Sequence, residues 1–411
     1  MLTDTFAQIC QIEGRSRDAL GAIREASFAP AGKKSLDVTF PMRDVERMVG
    51  RTGAAIRRAE KENRVPPPKH MRDGRRLGYT LEEINRLRDL FGTRPGRAAT
   101  DDPMVLAVQH VKGGVGKSTL TCNLAQYLGL AGYSVLVIDA DPQGTTTAVF
   151  GRSPDYDVAV EETLFPFLMG DIRTLEPIIS KTYFPGIDLI PAQLGLNSAD
   201  SQLAYQMVKD RAAVLDELRA GIMEAASDYD IILMDPAPAL GTIPLQVMRA
   251  ANALLCPIRP STLDFAASAN FFAMLRESVE SLEAVGLGPV YNWIRVVAND
   301  VQSKKAHIGS RRTIRDANGK VLREERSEGL VDMMRAIYGD AMLQTVVRDS
   351  AEIDNAATGF STIFEMPEAI TSRDVRRRAL ANMRAMCREV ELLARRHWPS
   401  HLEALKEEGL A

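Results

Sequence analysis

Val105-Leu106-Ala107-Val108-Gln109-His110-Val111-Lys112-Gly113-Gly114-Val115-Gly116-Lys117-Ser118-Thr119-Leu120 decides the fold. A four-residue apolar run leads into a glycine-rich loop, and Leu120, Leu124 and Leu128 then recur at helical spacing among small residues. This is the order a phosphate cradle needs. Glycines let backbone N–H groups turn inward around a polyphosphate, the helix N-terminus adds about half a positive charge, and Lys117 adds a point charge. Ser118 is placed to ligate Mg²⁺ through its hydroxyl. The common G-x-x-x-x-G-K-[ST] pattern wants glycine at Val111, and a second lysine, Lys112, stands near the loop's start. Read alone, the loop could also be a glycine-rich turn with no ligand.

Working outward, further short apolar runs fall at 135–138, 187–190, 231–234, 253–258, 294–298 and 343–347, separated by helix-length segments. Such runs describe strands buried on both faces of a mostly parallel sheet. The expected fold is a doubly wound α/β domain over 104–411. Two of the runs end in carboxylates: 135–138 leads into Asp139-Ala140-Asp141-Pro142-Gln143-Gly144, and 231–234 into Asp235-Pro236. In an open α/β sheet the C-terminal ends of strands face the ligand crevice. Each aspartate alone reads as a loop cap; beside a phosphate loop the three read as a set.

Whole-chain composition is that of an ordinary globular protein, with 45% hydrophobic and 26% charged residues and a net charge of −3. Charge is unevenly placed. Residues 1–100 carry 20 Lys+Arg against 13 Asp+Glu, leaving 31 against 41 for the rest. A basic front end joined to an acidic body points to a phosphate-backbone partner for the front. Cys10, Cys122, Cys256 and Cys387 form no C-x-x-C pair and read as small buried hydrophobes in a reducing cytosol; the histidines have no zinc spacing. A basic n-region and an 18-residue apolar run are both missing, so secretion and membrane spanning are not expected.

The front end divides at Gly and Pro. Residues 1–37 read as a helix, either a dimerisation element or an ordinary cap. Residues 38–97 read as helix, tight turn, helix, wing, helix, and 98–103 end a Gly/Pro-rich linker. Val45, Met48 and Val49 make the first helix's apolar face, and Ala54, Ala55 and Ile56 are expected inward on the second. Arg51 lies in the turn before that second helix, Arg57, Arg58, Lys61 and Arg64 surround it, Arg75 and Arg76 occupy the hairpin, and Thr80-Leu81-Glu82-Glu83 is a capping box. These seven basic residues suit a winged helix-turn-helix on DNA. A solvated basic face on a small helical dimerisation module is the other reading.

The three motifs at 112–119, 139–144 and 235–241 resemble those of the ParA/MinD branch of P-loop ATPases, and the extra front unit resembles that of the larger plasmid-partition ParA subclass, which includes SopA-like and RepA-like proteins. The resemblance covers nearly the whole chain. It implies a smaller N-terminal all-α winged helix-turn-helix domain joined to a P-loop NTPase domain, which binds ATP or ADP with Mg²⁺ and forms a homodimer around ATP. It implies that Lys112 reaches the partner's phosphates and that Gly113, Gly114, Val115, Gly116, Lys117, Ser118 and Thr119 cradle the nucleotide. It also implies that Ser118, Asp139 and Asp235 serve Mg²⁺, Asp141 orients the attacking water, and Asn299 contacts adenine. The family frequently has Asn at the position of His110.

By that likeness the chain is expected to be a cytoplasmic, nucleoid-associated DNA-segregation ATPase. A ParB-like centromere-binding protein would stimulate its weak hydrolysis, and it would repress its own operon. The alternative is an ATP/ADP-switched repressor with little partition role. A MinD-like membrane role is disfavoured by the ending Lys406-Glu407-Glu408-Gly409-Leu410-Ala411, and an iron–sulfur role by the lack of paired cysteines. The arginine-rich segment 371–398 reads either as a solvated face or, with Arg348, as a nonspecific DNA surface.

Overall fold

Six of the seven apolar runs become strands of one twisted sheet. The computed structural model describes residues 2–27, 34–68, 77–239, 241–302, 313–315, 321–324, 327–366 and 368–410. In chain order the front end holds α1 (Leu2–Ser27), α2 (Met42–Val49), α3 (Gly53–Lys61) and α4 (Leu81–Phe91). The body continues with β1 (Met104–Val108), α5 (Lys117–Ala131), β2 (Val135–Ala140), α6 (Thr145–Val149), α7 (Phe165–Leu168), β3 (Ser180–Lys181), β4 (Ile187–Ile190), α8 (Leu196–Gln206) and α9 (Arg211–Ala225). After these come β5 (Ile231–Pro236), α10 (Thr242–Ala250), β6 (Ala253–Ile258), α11 (Thr262–Glu283) and β7 (Trp293–Ala298). A separate antiparallel pair, β8 (Thr313–Arg315) and β9 (Val321–Glu324), precedes α12 (Ser327–Tyr338), α13 (Ala351–Thr358), α14 (Arg373–His397) and α15 (Leu402–Glu407).

The strand order is β3-β4-β2-β5-β1-β6-β7, parallel throughout except for the short antiparallel edge β3. Strand side chains alternate, so the two faces build two cores. Ala107, Ile138, Met234 and Cys256 pack with α8, α10 and α11 on one side; Leu106, Val137, Leu233 and Leu255 pack with α5 and α14 on the other. Because β1 lies between β5 and β6, its connection through α5 runs to one side and later crossovers run to the other. The crevice at this reversal opens above the C-terminal ends of β1, β2 and β5.

The run at 343–347 does not form a strand. Leu343 donates to the Val296 carbonyl and Val347 to that of Ala298, and isolated bridges join Met342 to Val296 and Arg348 to Val301. The segment covers the free edge of β7 without a ladder of its own. Cys122, Cys256 and Cys387 are buried as expected, whereas Cys10 is exposed on α1, because the described side chains of that helix face solvent.

In the front end, Val45, Val49, Ile56, Ala59, Tyr79, Ile84 and Leu87 share a small core. Ala54 is exposed, contrary to the sequence expectation, and Ala59 takes the inward place one helical turn beyond Ile56. Thr80 and Glu83 form the expected capping box, and Phe40 bridges Tyr79. The tip of the hairpin, with Arg75 and Arg76, lies outside the described residues.

The Gly/Pro-rich linker is pinned. Arg97 donates to the carbonyls of Tyr229, Ala226 and Asp101, and its backbone N–H to Asp230, while Ser400, His401 and Trp398 hold the same stretch from the C-terminus. On the other side of the front core, Arg88 is only 1% exposed. Its guanidinium donates to the Met48 carbonyl at the end of α2, to Asn85, and to the Leu130 carbonyl at the end of α5. Leu81 leaves the front core altogether and belongs to the core of the body that α5 and α14 share. Arg88→Ala strands two carbonyls and is expected to cost about 3 kcal/mol. A urea unfolding midpoint equal to that of the unaltered chain would contradict this bolt.

Candidate nucleotide site

The phosphate loop owes its shape to two left-handed glycines, Gly114 at φ +75° and Gly116 at φ +94°. At Gly116 a Cβ would collide with the amide of Asn299. Asn299 is buried, and its Nδ2 donates to the Val115 carbonyl at 2.7 Å. The residue expected at adenine therefore supports the loop itself. Immediately after Gly116, α5 begins with Lys117, whose side chain is buried at the helix N-terminus. Burial lowers its pKa, and Asp235 and Asp141 oppose that shift.

Asp139 and Asp235 are register neighbours on β2 and β5, both fully buried. Burial first, and the facing Asp235 second, raise Asp139 well above the usual carboxylate range. Burial likewise raises Asp235, while Ser118, Lys117 and Thr146 act the other way. One Asp139 oxygen accepts from the Thr147 backbone (2.8 Å) and hydroxyl (2.7 Å), the other from the Asp141 N–H (3.2 Å). Asp235 Oδ2 accepts from Thr146 at 2.7 Å, and its Oδ1 is buried without a hydrogen-bond partner. An orphaned buried acceptor beside the Ser118 hydroxyl fits a hard divalent cation or one of its waters. Asp139 stands behind it, committed to Thr147 and Asp141. Asp141 turns its own Oδ1 to the Gln143 N–H at 3.0 Å.

Sequence reasoning did not pick out Thr146 and Thr147, although the run Thr145-Thr146-Thr147 directly follows Gly144. It also left out Asp264, which ion-pairs with Lys112 across the loop; nothing in a linear reading joins residues so far apart. His110 is fully buried. Its Nδ1 accepts the Lys112 N–H at 3.0 Å, which leaves the proton on Nε2, 3.1 Å from the Ser268 hydroxyl. Among the described residues no cluster of three or more His, Cys, Asp or Glu forms a metal cage.

On the front unit Arg57, Arg58, Lys61 and Arg64 are all exposed around α3. Arg58 pairs with Glu62 at 2.7 Å. Arg51 instead leans on α4, its guanidinium 5.9 Å from the Phe91 ring centroid. On α14, Arg373, Arg377, Arg378, Arg384 and Arg388 are exposed, while Arg376 bonds the Met366 carbonyl, Arg395 pairs with Glu408 and Arg396 bonds the Leu410 carbonyl. Glu391 turns inward to Tyr127 and Tyr133, and Glu389 caps the N–H groups of Gln344 and Thr345. No described helix is long and apolar enough to cross a membrane.

Comparison with known proteins places these features among relatives. A family model described as an AAA domain matches residues 104–283. The sequence is 33% identical to Protein SopA of Escherichia coli strain K12 over 350 residues, 84% of this chain and 85% of that protein. It is 28% identical over 407 residues to a putative replication protein A of Rhizobium rhizogenes, covering 93% and 94% of the two chains. Among solved structures, one described as Partition Protein matches with a TM-score of 0.65 at 19% identity over 94% of this chain and 98% of that one. An ATP complex of Cyanothece McdA matches with a TM-score of 0.51 at 21% identity over 70% and 97%. The last two show likeness of fold.

Burial, then the positive charges of Lys117 and Lys112, push His110 down to about 4, with Asp264 opposing. An unfolded chain takes up that proton near pH 6.5 and the native chain only near 4, so native stability falls as pH drops through this interval. His110→Asn is expected to flatten the pH dependence of the urea midpoint between pH 6.5 and 4. Equal slopes in variant and parent would refute it.

Proposed function

The chain belongs to the ParA-type partition ATPase family, and on that premise we propose that it is a Mg²⁺-dependent DNA-segregation ATPase of low intrinsic rate whose ATP-bound homodimer holds DNA nonspecifically. A ParB-like centromere-binding partner accelerates hydrolysis to ADP and phosphate and so releases the DNA. Binding the nucleoid in this way makes the protein cytoplasmic and nucleoid-associated, and in its ADP form the winged helix-turn-helix represses its own operon. The carrying observation is the buried Asp139–Asp235 pair beside Lys117 at the start of α5.

Each part has a place in that cycle. The N–H groups from Gly113 to Thr119 and the Lys117 ammonium take the polyphosphate. Ser118 and Asp235 are the residues that would hold Mg²⁺, which shields the phosphate charges when bound; Asp139 holds the backbone behind them. Asp141 orients the attacking water, and Lys112 supplies charge from the partner protomer. Asn299 contacts adenine by exchanging the Val115 carbonyl for the base. The exposed Phe6, Ile9 and Ile12 of α1 support a dimerisation role for that helix, and the open arginines of α14 with Arg348 support the nonspecific DNA surface. A switched repressor with little partition role is the second reading, favoured by the exposed basic residues of α3.

ATP hydrolysis with and without nonspecific DNA and the centromere-binding partner separates the two: stimulation fits partition, operator footprints in ADP without stimulation fit the repressor. Lys117→Ala is expected to lose ATP binding, and Asp141→Ala to bind ATP and dimerise without turnover; retained binding in the first or normal turnover in the second, measured with labelled ATP, would sink these roles. Replacing Arg57 and Arg58 together by alanine is expected to weaken operator gel shifts while sparing hydrolysis, and unchanged shifts would favour the bland helical module.

A further inference from the structure

We propose that Asp264 is a positioning residue that holds Lys112 within its own protomer in the nucleotide-free chain and sets how readily that lysine is released to a second copy. The inference rests on the reading of Lys112 as acting across a dimer. Its physical basis is a ring of contacts between the loop entry and the first turns of α11. The Lys112 ammonium pairs with the Asp264 carboxylate. The Lys112 backbone N–H is held by His110 Nδ1, His110 Nε2 meets the Ser268 hydroxyl, and that hydroxyl donates to the Asp264 carbonyl at 2.7 Å. One helix thus grips both the main chain and the side-chain end of the same lysine.

The two partners are unequal. Asp264 is 10% exposed in its side chain and fixed: Ser261 caps its N–H, the Ser261 hydroxyl bonds its Oδ2 at 2.5 Å, and it stands in the first turn of α11, where the helix N-terminus favours a negative charge. Lys112 is 37% exposed and carries a flexible stem. The lysine is therefore the part that moves. Its departure does not leave a bare buried charge, because Ser261 and the nearby Arg259 still compensate Asp264. A nucleotide polyphosphate carries several negative charges against the single one of Asp264, so filled loops facing each other would draw the lysine away from this clasp.

The test uses the full chain. Asp264→Asn keeps an acceptor for Ser261 and removes the charge that holds Lys112. In a brief acetic anhydride pulse without nucleotide, read by mass spectrometry, Lys112 of the variant is expected to label several-fold faster than in the parent, and equal labelling overturns the proposal. By sedimentation, the ATP concentration giving half-maximal dimer is expected to fall about fivefold, within ordinary coupling between sites, and the shift is expected to vanish when Lys112→Ala is also present. A shift that persists without Lys112 shows Asp264 acting on the fold and refutes the clasp. If the parent chain stays monomeric in ATP while labelling still responds to Asp264→Asn, the clasp stands and the dimer reading fails.

Discussion

Two carboxylates side by side on the central strands, Asp139 and Asp235, are the constraint around which the body is arranged. Fully buried charges of like sign are costly unless hydrogen-bonded and neutralised. Thr147 and the Asp141 N–H serve one, Thr146 and Ser118 the other, and Lys117 brings the compensating charge. What remains without a hydrogen-bond partner is one buried oxygen, Asp235 Oδ1. A rigid sheet keeps that arrangement: β2 and β5 are interior strands, flanked by β4 and β1 respectively as well as by each other.

The phosphate loop is supported by two elements distant in sequence and by the helix that continues it. Asn299, just beyond β7, bears on Val115 and Gly116; α11 reaches Lys112 through Asp264 and His110; and α5 carries Lys117. Any ligand that displaces the loop therefore acts on three elements at once. Interconnected polar contacts of this kind have discrete arrangements and do not deform continuously.

Much of this architecture was legible in the sequence because buried parallel strands announce themselves as uninterrupted apolar runs, and because the loop's glycines and lysines are adjacent. The segment 343–347 misled for a physical reason: covering a sheet edge demands the same apolar side chains as joining it. The two-residue β3 is too short to leave a pattern. Gly and Pro between 92 and 103 read as a linker, but their richness reports local backbone geometry, while Arg97 and Asp101 decide that the stretch is held. The nucleotide loop could be read residue by residue; the Lys112–Asp264 contact could not, since it depends on where α11 crosses the loop.

Helix α4 belongs to two cores at once, with Ile84 and Leu87 in the front unit and Leu81 in the body. A recombination joining a foreign front unit at the linker would import an α4 shaped for another body and leave the place of Leu81 in the body's core to a stranger. The piece of chain that can be inherited as a unit is therefore longer than the ATPase motifs suggest, and it begins before the linker, at or ahead of Thr80. Substitution on the exposed face of α3, at Arg57, Arg58, Lys61 and Arg64, meets no such constraint.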